Sequence, residues 1–584
     1  MAVIKLWKST LAVYLCAAVV SCAARPGLAT DAGNANAGAP ASGAEQAARQ
    51  PAQGARGSGR EPSAPATLLD TTYERPTGRK INVQGGAAGG RNLQAALDQA
   101  APGDTILLEA GATFTGNFVL PKKAGGAGWV TVRSSAGDSE LPPPGTRVTP
   151  AQAPRMPKVE TPNADPVLKT APGAHHFRFI GVEFTQAATA SLTYDLIQLG
   201  SGSQTSIADV PHDLTIDRCY IHGNSTTNLR RGVALNSARS SVIDSHISDC
   251  HEQGADSQAV CGWNGPGPFK VVNNYLEGAG ENVMFGGADP KIADLVPSDI
   301  EFRRNHCFKP LAWKKGHPSY AGRGWSVKNV FELKNARRVL VDGNLFENNW
   351  VDAQNGFAIL FTVRNQEGSA PWSVVEDVTF TNNVLRHTAA AINVLGRDNN
   401  NQSEQVKRVK IHNNLVYDVG GKQWGGNGVF LQISETRDVS VDHNTVMQRG
   451  NIVTGHGSAN EGFVFTNNLV PHNEYGVIGD GTGPGNATLS KYFPGITFKK
   501  NAIAGGQSSL YPPDNLFPAA PDDAAGNFNP ATASPFKKAG TDGRDIGCDL
   551  AALEAAAGSL QVLGSSLTTR PRIHEGRSLL RRYA

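Results

Sequence analysis

Charge is scarce in this chain. Asp, Glu, Lys and Arg supply 18% of its 584 residues, against roughly 25% in ordinary soluble domains. What charge there is nearly cancels, at +3, so no basic excess exists to draw nucleic acid. Cysteine is sparse too. Of seven, Cys16 and Cys22 fall in the N-terminal segment. The other five, Cys219, Cys250, Cys261, Cys307 and Cys548, have no metal-type pair spacing, so no zinc site is indicated. An odd count argues against a complete disulfide framework and leaves a Cys250–Cys261 pairing open. No apolar run is long enough to cross a bilayer: Leu11 to Val20 falls short of the required ~20 residues. Gly (65) and Pro (35) are abundant instead, which suits many short strands and turns better than helical bundles.

The basic start at Lys5 and Lys8, followed by that short apolar run, reads as an export signal over 1–22. Val19-Val20-Ser21-Cys22 resembles the lipoprotein signal box, on which reading Cys22 is acylated and becomes the N-terminus. Ordinary cleavage after Ala24 is the alternative. The chain is therefore expected outside the cytoplasm, as an outer-membrane lipoprotein facing periplasm or cell surface, or secreted. Its only membrane contact would be the lipid anchor. Residues 23–70 are rich in Ala, Gly, Ser, Pro and Gln and poor in large apolar side chains. They read as a disordered linker, unable to offset their ordering entropy.

The strongest signal is an internal repeat, apolar–x–apolar–x–x–Asn–x–apolar. Examples are FKVVNNYL at Phe269, VLVDGNLF at Val339, VTFTNNVL at Val378 and FVFTNNLV at Phe463. The sixth position is Val182, Cys219 and Ser245, then Asn274, Asn305, Asn344, Asn383, Asn414, Asn444, Asn468 and Asn501. Intervals of about 24–39 residues with short alternating strands indicate one solenoid, not a string of domains. Eight successive Asn at one coil position would stack as a scaffold ladder, the Asn accepting the left-handed backbone of a bend. This pattern resembles the right-handed parallel β-helix of the pectate-lyase-like superfamily, over 71–549. The resemblance implies an all-β solenoid of about eleven or more coils with an N-terminal capping helix. Leu93, Ala96, Leu97 and Ala100 have the spacing for that helix. Residues 550–584 read as a C-terminal helix and basic tail.

Chemistry on such a fold sits on outward side chains and interrupting loops. The two 39-residue intervals between Asn305 and Asn383 must carry such loops, with Lys314, Lys315, His317 and Trp325 in the first and Asp352, Gln354 and Asn355 in the second. Aromatics among cations and amides suit a sugar chain. Aligning FELKNA at Phe331, FTVRNQ at Phe361 and VLGRDN at Val394 sends Glu332, Lys334, Thr362, Arg364, Asn393 and Arg397 outward, so Lys334, Arg364 and Arg397 form a basic wall. A solvated face with scattered cations is the plain alternative. Trp263 is either a sugar platform or packed on the next coil.

The superfamily resemblance implies β-elimination on an acidic polysaccharide, which needs a base and a neutralised uronate carboxylate. Lys334 is the candidate base, with Lys328 and Arg337 as neighbours whose charge would ease its deprotonation. Arg364 and Arg397 would grip the carboxylate, and Glu332 and Asp352 are candidate calcium ligands. Family signatures are incomplete. Val441-Asp442-His443 lacks the Trp of pectate lyases. Gly455-His456-Gly457 matches a polygalacturonase motif but without paired aspartates, and reads as a turn. Thr541 to Gly547 resembles a closing turn. The expectation is a monomeric exported polysaccharide lyase. A polymer-binding β-helix without activity, or a uronate carbon-5 epimerase, are the alternatives.

Overall fold

A computed structural model describes residues 60–125, 128–519, 536–558 and 560. The expected export signal, Cys22, most of the expected linker and the basic tail lie outside the described residues. The chain winds into three parallel sheets of 14, 12 and 13 strands, and after the first two strands, which pair with each other, each sheet takes every third strand in order. This is the parallel β-helix. Inward positions of all three sheets fill one continuous core, from Val83 and Leu93 at one end to Ile503 and Tyr511 at the other. The helix Gly89–Gln99 closes the first coil with Leu93, Ala96 and Leu97 buried, which hides otherwise exposed strand edges.

The Asn column forms a hydrogen-bonded ladder. Asn344 donates from its backbone N (3.0 Å) and Nδ2 (2.9 Å) to Asn383 Oδ1, and Asn383 repeats this on Asn414. Each Nδ2 also reaches a strand carbonyl, as Asn383 does to Val341 O at 3.0 Å. The ladder runs one step beyond the repeat, to Asn515. The left-handed residue, however, is the one before each Asn. Arg304, Asn382, Asn413, His443 and Lys500 have φ of 50–60° (53, 54, 52, 52 and 57). The ladder Asn itself is not left-handed, and its amide turns inward to the ladder and the strand carbonyls. Gly343 fills the same position at φ 67, where a Cβ would lie 2.5 Å from Ala556 O of the C-terminal helix.

All five described cysteines are free, Cys250 and Cys261 included. The structure also revises the linker boundary. Residues 60–75 lie as a strap along the outside of the first sheet, running back toward the capping helix. Arg60 faces Asp438 (3.7 Å) and Glu61 pairs with Lys410 (2.9 Å). Ser63 N donates to Asp377 Oδ1 (2.9 Å) and Ala66 N to Asp299 Oδ1 (2.7 Å). Lys270 Nζ then holds Leu69 O, Arg178 holds Thr71 O, and Arg75 meets Asp138. Carboxylates thus satisfy strap backbone groups without apolar burial, which is why hydropathy leaves the strap unseen.

Glu277 is a titratable group inside this frame. Burial pushes its carboxyl up to about 7, against hydrogen bonding from Tyr275 Oη (2.7 Å). Between the ordinary 4.5 and about 7 the folded chain holds a proton that the unfolded chain has released. This group's contribution is therefore complete below that window and lost as pH rises through it. Glu277→Gln should flatten the loss, read as the difference between the two proteins in urea unfolding at pH values on either side.

Candidate functional site

On the second sheet, after β1 (Glu281–Phe285), five successive strands build a groove: β2 (Phe331–Leu333), β3 (Phe357–Thr362), β4 (Ala390–Leu395), β5 (Leu431–Ser434) and β6 (Val453–Gly455). Their register sets Glu332 beside Leu360, then Asn393, Gln432 and Thr454. That row covers four coil steps, about 19 Å at the usual strand spacing. Alongside it lies a cavity of about 460 Å³ lined by Glu332, Lys334, Gln354, Asn355, Arg364, Asn393, Gln432 and His456 over Phe357, Leu360 and Leu395. Apolar floor, amide rows and a few charges together match the surface of a sugar chain.

Lys334 follows the last residue of β2, and its Nζ lies 3.8 Å from Glu332 Oε1. Glu332 is 2% exposed and accepts bonds from Thr362 Oγ1 (3.1 Å) and Asn329 Nδ2 (2.9 Å). The expected partners of Lys334 were cations; the structure gives it a carboxylate. Arg364 lies just past β3, its backbone N donating to Lys334 O at 2.9 Å. Its Nη1 bonds Asp398 Oδ1 (2.9 Å) and Asn399 Oδ1. Gln432 Nε2 reaches Asn393 Oδ1 at 3.3 Å.

Other expected site residues lie elsewhere. Arg397 does not line the groove: the chain leaves the sheet at Gly396, whose Cβ would fall 1.9 Å from Glu435 O. Arg397 is exposed and bonds Ser403 O at 3.2 Å. Arg337 sits on the first sheet, with Nε 3.2 Å from Ser298 Oγ, in a smaller recess with Glu376 and Lys407. Lys328 is held by Asp256 (2.6 Å) and Glu281 (3.4 Å). Burial would pull its ammonium down, but those carboxylates outweigh burial and hold it above the ordinary lysine value.

The expected aromatic platforms are packing residues. Trp325 is buried with Trp313, Trp350 and Trp424 in a secondary core, stacked 3.7 Å from the ring of buried His251. This cluster docks the long insertion against the coil, and Lys314, Lys315 and His317 emerge from it away from the groove lining. His317 Nδ1 bonds Ser319 Oγ (2.8 Å). Trp263 lies against Gly202, where an added Cβ would sit 2.4 Å from the indole, with Arg231 over its ring at 5.0 Å.

Calcium finds a poor donor set here. Of the two expected ligands only Glu332 lines the groove, and both its oxygens are engaged with Lys334 close by. Asp352 is exposed and spends Oδ2 on Val327 N at 3.0 Å. Two carboxylates without a shared cavity do not supply the six to eight oxygens calcium takes, and no step is assigned to it.

His456 is the groove residue that motif reading passed over as a turn. It follows β6 and is half-buried. Burial holds its imidazole below the ordinary 6.5, with Asp480 opposing, so it is neutral at neutral pH. The register of β5 and β6 was the available signal, since pairing Ile433 with Gly455 points the following residue outward.

No protein-family model matches the chain, and no curated protein matches it. Solved structures similar to it include a mannuronic acid specific polysaccharide family 6 lyase from human gut microbiota. That likeness has 11% identity and a TM-score of 0.44, and covers 77% of this chain and 93% of that one. The family 6 alginate lyase AlyGC has 12% identity and a TM-score of 0.43, over 75% of this chain and 53% of its own. This chain thus spans about half the length of AlyGC. Pectate lyase Pel9A has 15% identity and a TM-score of 0.36, over 81% and 96%. What these proteins share with this chain is the parallel β-helix fold.

Proposed function

We propose that the chain is an exported polysaccharide lyase that cleaves an acidic, uronic-acid polymer by β-elimination in the groove of β2–β6. The observation that carries this reading is the placement of Lys334, Glu332 and Arg364 together over an apolar floor. Only Nη1 of Arg364 is engaged in hydrogen bonds among the described residues, so the rest of its guanidinium is available to a uronate carboxylate. Neutralising that carboxylate acidifies the proton at sugar carbon 5. Lys334, as the neutral amine left once its ammonium has released a proton to solvent, removes the proton, the electron pair forms the carbon 4–carbon 5 double bond, and the carbon 4–oxygen bond breaks. The ammonium so formed returns the proton to the departing oxygen, and Glu332 steadies the charge in between.

A second reading, binding without cleavage, draws on one observation: both cations already face carboxylates, Lys334 with Glu332 and Arg364 with Asp398. A panel of uronic-acid polymers, tested with and without added calcium, separates the readings. A lyase produces near-ultraviolet absorbance and shorter chains. Binding without either, on every acidic polymer, would sink the lyase reading, and a change of sugar composition without shortening would make the protein an epimerase.

His456 lies about four coil steps from Lys334, too far to serve the same sugar ring. His456→Ala should therefore raise KM about tenfold, roughly 1.4 kcal/mol of binding, with kcat within about twofold. An equal fall in kcat and kcat/KM would place His456 at the reacting bond instead.

A further inference from the structure

A second polar cluster lies on another face, at the corner between the first and third sheets. His412 ends the strand Lys407–His412, Asp442 ends the next strand of that sheet, Arg437–Asp442, and His443 follows at the left-handed corner. One ligand atom from each of the three lies within 4.8 Å of the others. His443 Nδ1 is 2.9 Å and His412 Nδ1 3.2 Å from the same oxygen, Asp442 Oδ2. Both nitrogens thus converge on one carboxylate oxygen. The His412 approach is not directed as a hydrogen bond, and its buried Nδ1 makes none among the described residues. Ligand atoms around a tetrahedral zinc, bound at 2.0–2.1 Å, stand about 3.3 Å apart, close to these spacings.

The surroundings orient these groups as outer partners orient metal ligands. The other carboxylate oxygen, Asp442 Oδ1, is fixed by Thr466 Oγ1 and Asn467 Nδ2, each at 2.8 Å, which leaves Oδ2 to the imidazoles. The far nitrogen of His443, Nε2, is buried and makes no hydrogen bond among the described residues, with Asp542 Oδ1 3.5 Å away. Its ring is 7% exposed, so Nε2 is a buried polar atom left unsatisfied by these residues. Asp542 belongs to the closing turn, which Asn467 ties to the coil through Thr541 (2.8 Å). Both imidazoles line a cavity of about 690 Å³ under that turn, so the side left open by three protein ligands can receive water or a small ligand.

A similar trio, His176, His212 and Asp213, has no such vacancy. Arg239 bonds Asp213 through Nε (2.8 Å) and Nη2, and lies 3.1 Å from His212 Nδ1, so its guanidinium stands where a cation would. No Lys or Arg is paired with Asp442 among the described residues.

We propose that His412, Asp442 and His443 bind one first-row divalent cation of the zinc class, with Asp542 as the outer partner of His443 and an open position toward the cavity. Two imidazoles and one carboxylate select such a cation over calcium or magnesium, which take oxygen ligands. The site is independent of the groove and of its chemistry.

The test uses tag-free protein stripped with a chelator and titrated with Zn²⁺ by calorimetry, and with Co²⁺ by visible absorbance. The expected result is one Zn²⁺ per chain, visible cobalt bands of a low-symmetry nitrogen–oxygen site, and a higher Tm with Zn²⁺ than without. His412→Ala, at a half-buried position, should keep the metal-free Tm and lose at least about tenfold in Zn²⁺ affinity; Asp542→Asn should lose about tenfold. Zn²⁺ uptake that is absent, that is unchanged in His412→Ala, or that is matched by Ca²⁺ at the same site would overturn the assignment. In each of these cases the imidazoles simply share Asp442.

Discussion

Lys334→Ala is expected to lower turnover of the cognate acidic polymer by at least about 100-fold, the scale of a lost general base. Tm should stay near that of the wild type. Among the described residues the side chain makes one ion pair, at 3.8 Å, and Glu332 keeps its bonds to Thr362 and Asn329 when the ammonium is gone. Lys334→Arg sharpens the experiment. It preserves the positive charge that a merely binding groove would use, but a guanidinium holds its proton too tightly to act as a base at neutral pH. A lyase using Lys334 loses turnover in both variants, whereas a binding groove keeps its affinity in Lys334→Arg. Wild-type rates in Lys334→Ala would move the base to another residue.

Asn383→Ala is expected to cost about 3–5 kcal/mol of stability, although it removes no apolar surface. Asn383 Oδ1 accepts both the backbone N and the Nδ2 of Asn344, and its own Nδ2 serves Val341 O. Truncation orphans two buried donors and one carbonyl, at about 1–3 kcal/mol each before relaxation. Asn383→Ser should recover part of the loss, because the column itself contains a working precedent: Ser245 Oγ accepts from Cys219 N at 3.0 Å. Urea unfolding midpoints of the three proteins measure both effects. A loss under about 1 kcal/mol in Asn383→Ala would show that water replaces the amide.

The fold was legible because one rule repeats along the chain. Alternating apolar residues and a fixed Asn state the same geometry coil after coil, and the register pairs follow from it. The groove was legible only where strands stay regular. Glu332, Lys334 and Asn393 meet where alternation places them, and the loop residues Gln354 and Asn355 join them from the insertion. Arg397 does not, because Gly396 ends the strand two residues earlier than the alignment assumes. The tryptophans misled for a different reason: an indole suits a buried cluster as well as a sugar face, and composition does not separate the two. Charge pairing was equally hidden. Asp398, which meets Arg364, lies on the loop after the next strand, and no pattern along the chain joins them. The cluster of His412, Asp442 and His443 takes two residues from the tripeptide Val441-Asp442-His443 that fails as a pectate-lyase motif. Its significance depends on a histidine one coil away, at the equivalent register position.

The strap has a bearing on timing. Ser63 is among the first described residues to leave the ribosome, yet its carboxylate partner, Asp377, follows 314 residues later. Wherever the chain folds, the strap therefore waits for the surface of coils that lie far behind it in the sequence. It can close only over coils already stacked, so its docking marks completion of the body. During that interval residues 60–75 are open to a protease to which the finished protein presents them pinned.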